Sequence, residues 1–198
     1  MRNKPTKERI LDTAEEIMLE KGFHSVGLKQ ILDAVKVPKG SFYYYFSSKE
    51  QFGVEMLKHY LARTNAQKRT LLLIREQEAN PVQRLFTYLD GGVEFMKELD
   101  GKFPCLILKL ASEVTDLSEA MQRELANGFE EWIIIFQQVL DEAVDKKMLP
   151  ANLDTRSEAE LIQDLWAGAT QRAVINRSVE PVGQAVKRIK SRINNLMI

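Results

Sequence analysis

Between residues 39 and 49 the chain sets out Lys39, Gly40, Ser41, Tyr43, Tyr44, Tyr45 and Lys49. Lys39 and Lys49 can neutralise phosphates, and Lys39 can also reach guanine O6 and N7. Gly40 and Ser41 have almost no bulk, so a backbone carrying them can approach a duplex, and free N–H groups at a helix start bind phosphate oxygens. The tyrosines offer hydroxyls to phosphates and flat rings to sugars or thymine methyls. This combination fits a nucleic-acid surface. A second reactive group is the single cysteine, Cys105, with Lys102 and Lys109 nearby in sequence. Pro104 marks a first-turn helix position there, which puts Cys105 in the first turn. Unpaired N–H groups and the positive dipole end stabilise a thiolate at such a place. A buried cysteine acting as a small hydrophobe is the competing reading, and the apolar run Leu106–Ile107–Leu108 suits it.

The elements that must position the first cluster are legible on either side of it. Leu28, Ile31, Leu32 and Val35 recur at i, i+3, i+4 and i+7, one face of a short helix. A turn follows at Lys36-Val37, and Pro38 opens a second helix to about Tyr45. Two short helices on a tight turn make a helix-turn-helix, whose second helix enters the DNA major groove N-terminus first. Successive helical residues lie about 100° apart, so three tyrosines in a row cannot all face one way. Some must pack inward with Phe42 and Phe46.

Ahead of this pair, Ile10, Ala14, Ile17 and Met18 stripe a first helix that ends at Gly22. Lys4 and Lys7 lie in or before its first turn, where a solvated basic arm explains them and phosphate contacts explain them better. His24 reads as a loop residue. After the pair, Ser48 with Gln51, or Ser47 with Glu50, forms a capping box opening a long helix to about Arg75. His59 is expected on its surface, with no acid–base partner. Further helices are expected from Val82 to Leu99, from about Phe103, from Ser118 to Met148, from Asp154 to Glu180, and over the C-terminal stripe Val182, Val186, Ile189 and Ile193. Gly91-Gly92 inside a helix costs about 1 kcal/mol per glycine, which close packing, a pocket wall or a kink would explain. No segment alternates with period two, so the chain reads as all-α.

The stretch VPKGSFYYYFSSKEQF, preceded by AEEIMLEKGFHSVGLKQILDAVKV, resembles the recognition-helix signature of the TetR/AcrR family of transcriptional regulators. The resemblance covers roughly the first 55 residues. It implies a three-helix head that binds DNA, with contacts from Lys39, Gly40, Ser41 and Tyr43 to Tyr45, and with Lys29 and Lys49 on the backbone. One departure is Gly27, where the family often has a threonine that caps the second helix and touches phosphate. Glycine caps more weakly, which leaves part of that contact to Lys29. CLILKLASEVTDLSEAMQ and GATQRAVINRSVEP are similar to the electrophile-responsive branch that represses N-ethylmaleimide-reductase-type detoxification genes. In that branch a cysteine placed like Cys105 senses oxidants and electrophiles.

The expected architecture is an all-α chain: a helix-turn-helix DNA-binding domain over residues 1–49, and a helical ligand-sensing and dimerisation domain over residues 50–198. Phe95, Met96, Leu106, Trp132, Phe136 and Trp166 are the expected lining of a ligand pocket. Leu165, Ala169, Ala173, Val186, Ile189 and Ile193 are the expected interface of a homodimer, which would read a palindromic operator in successive major grooves. The signal would be a small-molecule or electrophile inducer. Residues 1–49 hold nine Lys/Arg against six Asp/Glu on a chain of zero formal net charge, a basic head on an acidic body. Two histidines, one cysteine, no phosphate-cradling glycine loop and no metal-type spacing give an enzyme little to work with. No cofactor and no metal are expected. No apolar run approaches the ~20 residues that cross a bilayer, and no signal peptide opens the chain, so a cytoplasmic protein is expected, without membrane contact. A dimeric DNA-binding protein without ligand control is the alternative.

Overall fold

The computed structural model describes residues 4–76, 78–99, 102–116 and 118–198, and these form nine α-helices without a strand. In order they are α1 (Thr6–Lys21), α2 (Leu28–Val35), α3 (Lys39–Tyr45), α4 (Lys49–Leu73), α5 (Pro81–Glu98), α6 (Leu106–Val114), α7 (Glu119–Asp145), α8 (Thr155–Asn176) and α9 (Glu180–Leu196). The chain divides into two compact units, Met1–Arg63 with Cys105–Gly128, and Thr64–Pro104 with Phe129–Ile198. Neither is one continuous segment. A cut in sequence at residue 49 therefore differs from the division in space, where α6 and the start of α7 belong with the helix-turn-helix.

In the first unit, α1 buries Ile10, Leu11, Ala14 and Met18 on one face. It stops at Gly22, whose φ of 82° and ψ of 170° lie in a region open essentially to glycine. The turn that follows is held from α6: the Glu113 carboxylate accepts the Phe23 and His24 backbone N–H groups at 2.9 and 3.2 Å. α4 is capped by Ser48, whose Oγ accepts the Gln51 N–H at 3.0 Å. Gln51 Oε1 in turn accepts the Ser47 N–H at 2.6 Å, so the reciprocal half of the expected box lands one residue early. Small residues open two further gaps: a side chain at Gly53 would meet Met121, and one at Gly128 would meet Leu61.

The second unit has a continuous apolar core from Leu72 through Leu85, Leu89, Phe136, Val139 and Ile162 to Ile189 and Ile193. Asn80 caps α5 and Asp154 caps α8, each accepting the N–H three residues on. Arg84 is 3% exposed and is satisfied by the Leu72 and Glu78 carbonyls, both at 2.7 Å, and by the Glu142 carboxylate at 2.5 Å. Gly92 faces the Trp166 ring, which occupies the place of its missing side chain, while Gly91 looks into open space. Close packing therefore explains Gly92 and not Gly91.

Candidate nucleic-acid interface and sensor thiol

The turn between α2 and α3 is built by Lys36 in the left-handed conformation (φ 54°, ψ 48°), with the Val37 N–H closing onto the Leu32 carbonyl at 3.0 Å. Pro38 is the extended residue before α3 rather than its first helical residue, and its carbonyl accepts the Ser41 N–H at 3.0 Å. That shift of one places Lys39 and Gly40 at the helix start, both exposed, with open space around Gly40. Phe42 and Phe46 are fully buried, and their rings pack with Phe52 at centroid distances of 5.0 to 5.3 Å. This aromatic cluster fixes the roll of α3 and decides how the tyrosines divide. Tyr43 and Tyr44 are 55% and 82% exposed, while Tyr45 and Ser41 are half-buried. An exposed aromatic pair beside a lysine and a glycine, on a seven-residue helix locked from behind, is a surface free to meet a duplex.

The other basic residues are less free than their sequence suggests. Lys29 is 88% exposed and pairs with Asp33 at 2.5 Å within α2. The Lys49 ammonium donates to the Val26 carbonyl at 3.2 Å and sits 4.9 Å from the centre of the Phe23 ring, so it ties the head together. Lys4 pairs with Asp12 at 2.7 Å and Lys7 with Glu55 at 3.1 Å. Lys4 and Lys7 are thus held by carboxylates, which a phosphate would have to displace. Gly27 caps α2 through its backbone alone, accepting the Gln30 N–H at 3.0 Å. His59 also departs from expectation. It is half-buried and bonds Asp12 at 2.8 Å, beside Glu15, which Arg63 holds by an ion pair. Asp12, Glu15 and His59 come from α1 and α4, so no spacing within one helix announces the cluster.

Cys105 is half-buried and is the extended residue immediately before α6 (φ −144°, ψ 126°), not a first-turn residue. Its carbonyl accepts the Lys109 N–H at 3.1 Å. Against it lies a residue that the sequence did not single out. Tyr60 of α4 is 9% exposed, its oxygen accepts the Leu106 N–H at 3.2 Å, and its hydroxyl hydrogen-bonds the Cys105 side chain. Burial, then the charge and hydrogen bond of Cys105, push deprotonation of this phenol far above its ordinary range.

The expected pocket residues do not converge on one lining. Phe95 is 49% exposed, because it falls on the outer side of α5 while Met96, one residue on, is buried. Leu106 is fully buried in the first unit, whereas the other five belong to the second. Trp132 and Phe136 do share an environment, and Trp166 is the ring that fills the notch at Gly92. The Lys68 ammonium lies 4.3 Å from the Trp132 ring centre, 5.0 Å from Phe136 and 5.7 Å from Tyr88, and Asn65 accepts the Trp132 indole N–H at 2.8 Å. The expected interface needs correction as well. Ala169, Ala173, Val186, Ile189 and Ile193 are buried within the single chain, where α8 packs on α9. An apolar stripe marks a covered face without saying which helix covers it. The outward face of the same two helices is a groove of about 670 Å³ lined by Leu165, Gly168, Arg172, Gln184 and Arg188 among others.

Residues 10–56 match the family of bacterial regulatory proteins named tetR, and residues 81–189, more than half the chain, match the tetracyclin repressor-like C-terminal domain. The chain belongs to the TetR family. This TetR-family chain is 35% identical over 188 residues to the transcriptional repressor NemR of Escherichia coli, covering 95% of the chain and 94% of the relative. It is 30% identical over 184 residues to the repressor DhaR of a Mycobacterium species, covering 93% and 90%. The crystal structure of reduced E. coli NemR superposes with a TM-score of 0.87 at 33% identity, covering 98% of this chain and 97% of that one. A regulatory protein TetR from Rhodobacter sphaeroides superposes with a TM-score of 0.83 at 27% identity, covering 96% and 98%. The resemblance seen in the head thus extends along nearly the whole chain, and the protein is a DNA-binding regulator rather than an enzyme. No helix among the described residues is long and apolar enough to cross a membrane.

Proposed function

We propose that the chain is a repressor that binds a palindromic operator as a homodimer and lets go when the Cys105 thiol is modified by an electrophile. The observation that carries the DNA half is the exposure of Lys39, Gly40, Tyr43 and Tyr44 on α3 while Phe42 and Phe46 are fully buried beneath them. Lys39 and Gly40 approach the groove, and Tyr43 and Tyr44 take phosphates or base edges. Ser41 and Tyr45, half-buried, contribute at the margin. Gly27, Lys29 and Lys49 support the backbone contacts, Lys29 after exchanging Asp33 for phosphate. NemR and DhaR are both named repressors, which supports the direction of control.

The signal half rests on Cys105 being half-buried at a helix start, within reach of reagents, and on the similarity to NemR. Two copies meet through the outward faces of α8 and α9, where Gly168 leaves open space for a partner helix. The site of action is the cytoplasm, where a lone cysteine stays reduced.

The test is a footprint of reduced protein on the DNA flanking its own gene, repeated after treatment with N-ethylmaleimide. Protection of a palindrome that disappears on treatment, and persists in Cys105→Ser, is the expected result. Protection indifferent to the reagent would sink the thiol switch and leave DNA binding intact. Absence of any protected palindrome, there or across a genomic binding screen, would sink the repressor reading.

A further inference from the structure

We propose that Tyr60 is the positioning residue of the sensor thiol: its phenol donates a hydrogen bond to the Cys105 thiolate, and alkylation of the sulphur breaks that bond and is read on α4. The inference rests on the reading of Cys105 as the reactive group, and it names how that group is held and where its modification is felt.

The geometry assigns the direction of the bond. A tyrosine hydroxyl has one proton to give and lone pairs to receive. The Tyr60 oxygen receives the Leu106 N–H at 3.2 Å, and its bond to the Cys105 side chain disfavours loss of the phenol proton, as a bond that the phenol donates does. Burial keeps that proton on the phenol through the whole range in which a thiol titrates. Tyr60 is therefore a permanent donor, and a permanent donor favours the sulphur as thiolate over thiol. The N-terminus of α6 acts in the same sense. The charged and titratable groups around the pair come from three elements. Arg63 of α4 lies 5.7 Å from the Tyr60 ring centre, Glu15 of α1 acts on the phenol through its charge, and Lys109 of α6 stands one turn beyond Cys105.

The chemical step balances without an oxidant. The thiolate sulphur bonds to the β-carbon of an activated alkene such as N-ethylmaleimide. The C=C π pair moves to the α-carbon, which takes a proton from water. The product is a neutral thioether, a weak acceptor, and a buried hydroxyl is left without its charged partner. Tyr60 must then turn away or be displaced by the adduct. It sits on α4, the helix that follows the recognition helix in the chain.

The experiment measures the rate of N-ethylmaleimide addition to Cys105 in the full-length protein against pH, for wild type and Tyr60→Phe, with Cys105→Ser as the labelling control. Loss of one hydrogen bond to a charged group moves half-maximal reactivity up by about one pH unit, so the rate on the acid side of the wild-type midpoint falls about tenfold. Circular-dichroism melting checks that the variant is folded. Replacement of Tyr60 by 3-fluorotyrosine keeps the hydroxyl, makes it a stronger donor and moves the profile the other way. Superimposable profiles for all three proteins would overturn the inference, even if alkylation still releases DNA and the sensor reading stands. Shifted profiles in a protein whose DNA binding ignores alkylation would uphold the Tyr60 bond to the thiolate and overturn the switch.

Discussion

Alanine at Gly22 tests whether α6 holds the first turn of the DNA-binding head. Gly22 has φ 82° and ψ 170°, where a residue with a side chain is strained by about 1–3 kcal/mol. A methyl group there would also collide with the Glu113 carboxylate. Glu113 can swing aside, but it then gives up the Phe23 and His24 N–H groups, now at 2.9 and 3.2 Å. His24 is exposed and water replaces the lost partner, whereas Phe23 is 6% exposed, so the cost of the move is about 2 kcal/mol. Gly22→Ala should therefore destabilise the protein by about 3–5 kcal/mol. Glu113→Ala alone should cost about 2 kcal/mol. The double variant should be no worse than Gly22→Ala, because the alanine has already displaced the carboxylate, giving a coupling of about 2 kcal/mol where independent sites add to within ~0.5. Urea unfolding followed by circular dichroism, at one fixed protein concentration, measures all three. Strictly additive costs would refute the argument, since they would mean that Glu113 and Gly22 do not compete for the same space.

The two adjacent glycines of α5 should separate cleanly in thermal melts. Gly91→Ala enters open space and gains up to about 1 kcal/mol of helix stability, while Gly92→Ala meets the Trp166 ring and loses about 1–3 kcal/mol. At the buried Arg84–Glu142 pair, desolvation pulls the Glu142 carboxyl upward, but the Lys146 hydrogen bond and the Arg84 charge outweigh it and hold Glu142 below its ordinary 4.5. A carboxyl lowered by folding contributes stability that is complete above its unfolded pKa and is lost as pH falls through the lower folded value. The acid limb of a stability–pH curve below about pH 4.5 should be shallower in Glu142→Gln than in wild type; parallel limbs would contradict this. At the interface with DNA, Lys39→Ala should weaken operator binding about tenfold and flatten its salt dependence by about one counterion. Tyr44→Ala should weaken binding without changing the melting temperature, because the residue is 82% exposed. A Tyr44→Ala protein that binds as wild type would remove that tyrosine from the interface.

Local order in the sequence was enough for the helices and for the head. The i, i+3, i+4, i+7 stripe of α2, the turn before Pro38 and the Ser48–Gln51 cap are interactions between near neighbours, so their residues carry the whole signal. Helix pitch was enough to turn Phe42 and Phe46 inward, but which tyrosines stay outside, Tyr43 and Tyr44 rather than Tyr45, was left to the packing of that cluster. Which distant surface covers a given face is not carried by the segment itself. Ile189 looks equally apolar whether α8 or a second chain packs on it, and His59 looks like a surface residue until Asp12 arrives from α1. Lys4 and Lys7 look like free cations for the same reason, and Cys105 gives no hint that Tyr60, forty-five residues earlier, is its partner. Hydrophobic period and capping chemistry are properties of a segment. Pairing across helices depends on how segments pack, and only the tertiary structure decided that Tyr60 meets Cys105, that Glu113 holds the α1–α2 turn and that Trp166 needs Gly92.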